Sequence, residues 1–338
     1  MIPTQYLSET TAMRPGHDPF DDALEDLRVS GAVLFHEAYL APWTMAVPEE
    51  ARLRKLLGAG NDVRIAVFHY VRRETFDLQV EGCAAMPVRA GEMVICPSGS
   101  AHLMSRGDGG ASAPFEEIIR GGGPVRVVPG TPDSTELICG FFTLRAAPFN
   151  PLLAALPPAV RVATDDVGVS PILPNIAAML AHEIGRGVFG SYTVARLLEV
   201  FCAEAIRAYR QSGGAEHPGW FKGLADPRIA EAIRQIHDEP AREWTVPALA
   251  STAALSASRF AARFRETTGQ SVMAYVAAWR AHLACRMLRE TDLQLGEIAD
   301  RIGYESLPAF SRAFKAQLGQ SPTAWRNVRP GERKRLPL

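Results

Sequence analysis

Apolar residues change their spacing twice along the chain. From Gly31 to about Arg145, short runs rich in β-branched and aromatic residues ("AVLFHEA", "WTMAV", "RIAVFHYV", "TFDLQV", "MVICP", "ELICGFFTL") are separated by Gly, Pro and Asp or Asn. Such runs, with no helical period among them, predict many short strands closing into a sandwich or small barrel. The stretch Gly107 to Ser134 is too rich in glycine for a core and reads as an excursion over the surface. Apolar positions then recur every three or four residues over Leu173 to Gly187 and Ser191 to Gly213, which predicts two amphipathic helices. Ser191 is a candidate N-cap and Gly213 a stop. The stripe Val194, Leu197, Leu198, Phe201, Ala205 and Ile206 either covers the sheet or pairs with a second copy of the chain.

The last third is helical and repeats itself. Sliding the sequence by fifty positions lays Phe260 on Phe310, Phe264 on Phe314, Arg265 on Lys315, and Gly269-Gln270-Ser271 on Gly319-Gln320-Ser321. A slide of forty-nine lays Leu249-Ala250 on Ile298-Ala299 and Ala254 on Gly303. Each copy is a helix, a tight turn and a helix. Ala250 and Ala299 let the paired helices approach closely, and Ser256 and Ser306 are placed to cap the second helices. Gly303 takes a left-handed turn at no steric cost, whereas Ala254 bears strain if it adopts the same conformation. Between the copies, Ser271 to Glu290 contains no helix breaker and would span about 30 Å at about 1.5 Å per residue, close to the roughly 34 Å of one turn of DNA.

Composition changes the picture in three places. The chain has 338 residues, 47% apolar and 22% charged, which fits folded protein of about two domains rather than disorder. The net charge of -1 hides an asymmetry: Leu224 to Leu338 carries 17 Lys and Arg against 12 Asp and Glu, leaving 19 against 25 in the remainder. A basic segment on an acidic body points to an anionic partner for the C-terminal part. The five cysteines lack the spacing of a disulfide framework or a C-x-x-C site and read as thiols. No apolar run reaches the length of a membrane span, and the N-terminus lacks the pattern of a signal peptide, so no membrane partner and a cytoplasmic location are expected.

Asp226 to Val328 resembles the DNA-binding domain of the AraC/XylS family of transcription regulators, through Arg280, Ala284, Leu288, Ile298, Ala299, Gly303, Phe310, Phe314, Gly319, Pro322 and Trp325. The resemblance implies two recognition helices that read double-stranded DNA in the major groove. It places Ser256, Ser258, Arg259, Ala262, Arg263 and Arg265 on the first helix, and Ser306, Leu307, Ala309, Arg312 and Lys315 on the second. Arg312 reaches a base edge or phosphate, or stands solvated, while Arg259, Arg263, Arg265 and Lys315 are phosphate or groove contacts. Many relatives carry polar side chains where this chain has Ala261, Ala262, Leu307, Pro308 and Ala309. Apolar groups touch thymine methyls but cannot hydrogen-bond base edges, so readout here leans on the serines, Arg259, Arg312 and DNA shape. RNA polymerase is a further partner that such a regulator implies.

Gly91 to Met104, "GEMVICPSGSAHLM", satisfies G-x5-P-x-G-x2-H and resembles the second motif of the cupin fold. The resemblance implies a barrel with His102 facing its interior and a sensor of a small molecule or reactive species, with His36, Trp43, His69 and His102 as candidate ligand-binding residues. A metal-binding cupin supplies H-x-H and a glutamate from its first motif; here His69 is followed two places on by Val71. No metal and no cofactor is therefore expected, although His36, His69 and His102 remain able to converge inside the barrel. Two rival readings are a metal-dependent cupin enzyme carrying a DNA-binding appendage and a redox regulator acting through Cys96 and Cys139. The reading adopted is not an enzyme. The expected fold is α+β and multidomain: a lead (1–30), a cupin-like β-barrel sensor (31–168), a helical pair that can form a homodimer interface (169–213), a linker (214–225), an all-α domain with two helix-turn-helix motifs (226–328) and a basic tail (329–338).

Overall fold

The alternating runs of the N-terminal half pair into two facing sheets. In the computed structural model the described residues are 18–60, 63–108, 112–145, 150–166, 168, 170–187, 189–213 and 219–327; the expectations for 1–17 and the basic tail lie outside them. The strands are β1 (Arg28–Leu40), β2 (Trp43–Val47), β3 (Arg64–Arg73), β4 (Thr75–Val80), β5 (Met86–Arg89), β6 (Glu92–Cys96), β7 (His102–Arg106), β8 (Ser112–Pro114), β9 (Arg126–Val127), β10 (Ser134–Arg145) and β11 (Val160–Ala163). One sheet runs β11-β6-β3-β10-β1-β9 and the other β5-β4-β7-β2-β8. All pairings are antiparallel except β2 with β8.

The helices of this half are α1 (Pro19–Glu25), α2 (Glu50–Leu57), α3 (Phe115–Ile119), α4 (Pro151–Ala155), α5 (Leu173–Gly185) and α6 (Tyr192–Ser212). Between the sheets lies a core to which Phe35, Val67, Cys96 and Cys139 contribute from one side and Trp43, Phe76, Leu78 and Met104 from the other. The outer face of the six-stranded sheet is buried too: Phe68, Ile95, Ile138 and Phe142 pack into a second cluster with Leu180, Leu198 and Phe201 of α5 and α6. Burial on both faces explains why "RIAVFHYV" is a nearly unbroken apolar run rather than an alternation. A Cβ at Gly31 would stand 2.8 Å from Leu198 Cβ, so the bare backbone of β1 is what lets α6 lie directly on it.

The C-terminal helices are α7 (Trp220–Ala225), α8 (Pro227–Asp238), α9 (Val246–Thr252), α10 (Ala257–Thr268), α11 (Val272–Glu290), α12 (Leu295–Arg301), α13 (Leu307–Leu318) and α14 (Pro322–Asn327). Four expectations are corrected here. The described end of the lead is α1, capped by Asp18 with Pro19 in its first turn, and its Phe20 is buried against Phe221. The second half of the supposed linker is α7, whose Trp220 and Phe221 are buried because each aromatic ring recovers more by leaving water than the surrounding Gly and Pro lose in chain freedom. The glycine-rich excursion contains β8, α3 and β9, anchored by buried Phe115 and Ile118, and α2 interrupts the strands with Leu53 buried.

Candidate DNA-reading surface and the buried barrel site

Each C-terminal module is built by the same local devices. In the first, the Thr245 hydroxyl accepts from Ala248 N–H at 3.2 Å to start α9, and Ser256 accepts from Arg259 N–H at 3.4 Å to start α10. In the second, Gln294 N–H donates to the Glu297 carboxylate at 2.7 Å, and Ser306 accepts from Ala309 N–H at 3.4 Å to start α13. The turns close through Leu255 N–H to Ala250 O at 3.0 Å and Tyr304 N–H to Ala299 O at 2.9 Å. Ala254 lies at φ 51° and Gly303 at φ 79°, so the alanine does adopt the left-handed conformation. Phe260 and Phe264, and Phe310 and Phe314, hold α10 and α13 to the core, and Gly269 and Gly319 end them in the left-handed region.

The opposite sides of α10 and α13 face solvent. Ser256, Ser258, Arg259, Ala262, Arg263 and Arg265 are exposed, as are Ser306, Leu307, Arg312 and Lys315, with Ala309 half-buried. Two arginines one position out of register between the helices, Arg263 and Arg312, differ in what holds them. Arg263 is paired with the Asp226 carboxylate, which also caps α8 by accepting from Arg228 N–H at 3.1 Å. Arg312 makes no hydrogen bond or ion pair among the described residues.

Sequence reasoning named Arg280 only as a matching position, and its work becomes visible in the fold. Its Nε–H donates to Pro240 O at 2.9 Å, Nη1 to Gly303 O at 3.2 Å and Nη2 to Arg242 O at 2.8 Å. The planar fork thereby ties α11 to the loop before α9 and to the turn of the second module. A second contact was not legible at all: Asp26, past the end of α1, accepts from His282 Nε2–H at 2.7 Å and from Arg286 Nη1 at 2.6 Å, both on α11. Burial alone would raise the Asp26 carboxyl, but the hydrogen bonds and charges of His282 and Arg286 outweigh it and hold it at about 2. Nothing in the spacing of residues more than two hundred and fifty positions apart signals that contact.

Inside the barrel, Cys139 on β10, opposite both Phe35 and His69 in the register, begins a chain of polar contacts. Cys139 Sγ lies 3.0 Å from His69 Nδ1, His69 Nε2 lies 2.9 Å from His102 Nε2, and His102 Nδ1 lies 2.7 Å from Ser100 O. A carbonyl only accepts, so His102 carries its proton on Nδ1 and accepts at Nε2. His69 then donates from Nε2 and accepts at Nδ1, where the Cys139 S–H donates. Both rings are neutral: burial pushes His102 down to about 4, and burial with the neighbouring His102 holds His69 well below the usual histidine range. Burial likewise raises the Cys139 thiol and pushes Cys96 up to about 12, so both thiols stay protonated. Trp43, fully buried beside Phe76, points Nε1–H at Thr135 Oγ1 at 3.4 Å.

Trp43, His69 and His102 therefore share the interior, and His36 does not join them. His36 stands opposite Ile138, on the outer face, and donates to Glu136 Oε1 at 2.8 Å. The one-residue alternation along β1 puts Phe35 and Glu37 on the inner side instead. With His36 turned away and the two inner histidines spending their facing nitrogens on each other, the donor set does not fit a metal, and no group of three or more His, Cys, Asp or Glu among the described residues could hold one. No described helix is long and apolar enough to cross a membrane.

Comparison with known proteins accounts for both halves. A cupin family model matches residues 18–211, and a helix-turn-helix domain model matches 249–327. The cupin match thus takes in α1 at one end and α5 and α6 at the other. A putative AraC-like transcription regulator of Streptomyces lividans is 33% identical over 273 residues, 78% of this chain and 87% of the relative. The HTH-type transcriptional regulator AlkR of Acinetobacter baylyi is 28% identical over 247 residues, 70% of this chain and 79% of the relative. Among solved structures, the DNA-binding domain of AdpA in complex with a target DNA is 34% identical, with a TM-score of 0.29, covering 30% of this chain and 90% of that one. A cupin domain followed by a paired helix-turn-helix reader, together with a relative matched over most of both lengths, makes this chain a member of the AraC-like family of DNA-binding transcription regulators.

Proposed function

We propose that α10 and α13 enter successive major-groove segments on one face of double-stranded DNA, with the 19 residues of α11 as a spacer of about 28 Å. The observation that carries this reading is the repeated module: the same cap, left-handed turn, buried phenylalanine pair and terminal glycine occur twice, each time leaving an exposed polar side. Ser256, Ser258, Arg259, Ala262 and Arg265 serve the first segment, and Ser306, Leu307, Ala309, Arg312 and Lys315 the second. Leu307, 41% exposed in the first turn of α13, suits a thymine methyl. Arg263 reaches a phosphate once it leaves Asp226.

The cupin domain acts as a sensor rather than a catalyst in this reading, and it needs no cofactor. A homodimer is supported by Met179, Tyr192 and Val200 on α5 and α6, which are 53%, 80% and 47% exposed despite their apolar bulk. The redox alternative draws no support from Cys96 and Cys139, which burial keeps as thiols. A regulator of this kind works in the cytoplasm and meets RNA polymerase at the promoter. The test is a site selected from random duplexes with the full-length protein, then lengthened by half a helical turn between its two segments. Affinity should fall about a hundredfold or more as one reader loses its face of the duplex; unchanged affinity would mean that the two helices do not read together.

A further inference from the structure

A cleft of about 520 Å³ lies between α5 and the part of the six-stranded sheet's outer face that carries Tyr70 and Arg72. At one end, Arg72 of β3 and Asp165, just past β11, flank the Gly91 turn. Gly91 N–H donates to Val71 O at 2.9 Å, and a Cβ at Gly91 would stand 2.8 Å from the Asp165 carboxylate. The one ion pair of Arg72 among the described residues is a long contact of 3.8 Å to Glu136, which His36 already engages. Asp165 makes no hydrogen bond or ion pair among the described residues. Pro174, Ala178 and Ala181, at helical spacing on one side of α5, form a floor of small apolar groups leading away from this charged end.

We propose that this cleft binds a free amino acid, its carboxylate on Arg72, its ammonium on Asp165 and its side chain on the alanine floor. A simple anion would meet Asp165 and a simple cation would meet Arg72, whereas a molecule carrying an ammonium and a carboxylate on one carbon answers both with charge-assisted hydrogen bonds. The inference rests on the reading of the cupin domain as a sensor and gives it a ligand class. It also puts the ligand against an element with a route to the reader. α5 packs on α6, and α6 sends Arg207 to Asp21 and Arg210 to Asp18, each at 2.7 Å, on the segment whose Asp26 holds α11.

The test is calorimetric titration of the full-length protein with each proteinogenic L-amino acid, then with the methyl ester and the N-acetyl derivative of the best binder. At least one amino acid should bind saturably, and either blocked form should bind about tenfold or more weakly. Arg72→Met, Asp165→Asn and Ala178→Trp should each cause a loss of similar size. Asp165 and Ala178 are exposed, so circular dichroism should show both variants folded as the wild type is. No saturable binding at millimolar concentration, blocked forms that bind as well as the free acid, or variants that bind as the wild type does would each overturn the proposal. DNA binding, measured on the same protein by anisotropy, reports separately on the regulator reading.

Discussion

The two helix-turn-helix modules are near copies in sequence and opposites in how they are restrained. The first turns on Ala254, an exposed residue in the left-handed region, and its Arg263 is held by Asp226. The second turns on Gly303, where a Cβ would stand 2.4 Å from Ala241 O, and its Arg312 is unpaired among the described residues. The first module is thus loose at the turn and tied at the surface, and the second is the reverse. A repeat in sequence records a shared way of folding; the surroundings of each copy decide what it is free to do.

Adding one methyl group at the second turn is the strongest way to break the comparison. Gly303→Ala meets the left-handed conformation and a backbone oxygen that no rotamer change can move. Relief requires shifting the Ala241 segment, on which the hydrogen bonds of Arg280 to Pro240 and Arg242 depend. Chemical denaturation of the full chain should show a loss of about 3 kcal/mol or more. A loss below about 1 kcal/mol would mean that the turn is no more constrained than that of the first module.

Releasing the tied arginine is expected to have a smaller effect. Asp226→Asn removes the charge that holds Arg263 and keeps a side chain that caps α8 nearly as well. If Arg263 is then free for a phosphate, affinity for duplex DNA should rise by about 0.5 to 1 kcal/mol, with a salt slope steeper by about one ion. No change in affinity or slope would leave Arg263 outside the interface and concentrate the first module's contacts on Arg259 and Arg265.

The sequence reading fared best where structure is made by neighbours and worst where it is made by distant partners. Ser191, Ser256, Ser271 and Ser306 all cap the helices predicted from them, and Gly213, Gly269 and Gly319 end theirs, because capping depends on residues within a turn of each other. The inward position of His102 was implied by the resemblance of Gly91 to Met104 to the second cupin motif. His36 was misplaced because facing depends on the register of β1 with β10, which includes a shift between Val33 and Phe35. α1 and α7 were missed because their few aromatic residues sit among Pro, Gly and Asp. α1 nonetheless carried a usable signal, since Asp18-Pro19 before it repeats the Asp226-Pro227 pair that opens α8. The cleft between sheet and α5, and the Asp26 contact with α11, join segments whose meeting no local pattern encodes.

The reciprocal substitution sharpens the comparison with the smallest effect. An alanine in the left-handed region costs about 1 to 2 kcal/mol relative to glycine. Glycine in turn gives the unfolded chain more freedom, which returns about 0.4 to 1 kcal/mol of that. Ala254 is exposed, so no packing is lost when its methyl is removed. Ala254→Gly should therefore stabilise the chain by about 0.5 kcal/mol, small but opposite in sign to Gly303→Ala. The two substitutions together should add, because each turn is closed by its own hydrogen bond, Leu255 to Ala250 in one and Tyr304 to Ala299 in the other. Destabilisation by Ala254→Gly, or a combined effect departing from the sum by more than about 0.5 kcal/mol, would mean that the modules are coupled through α11 and that the asymmetry belongs to the pair rather than to each turn.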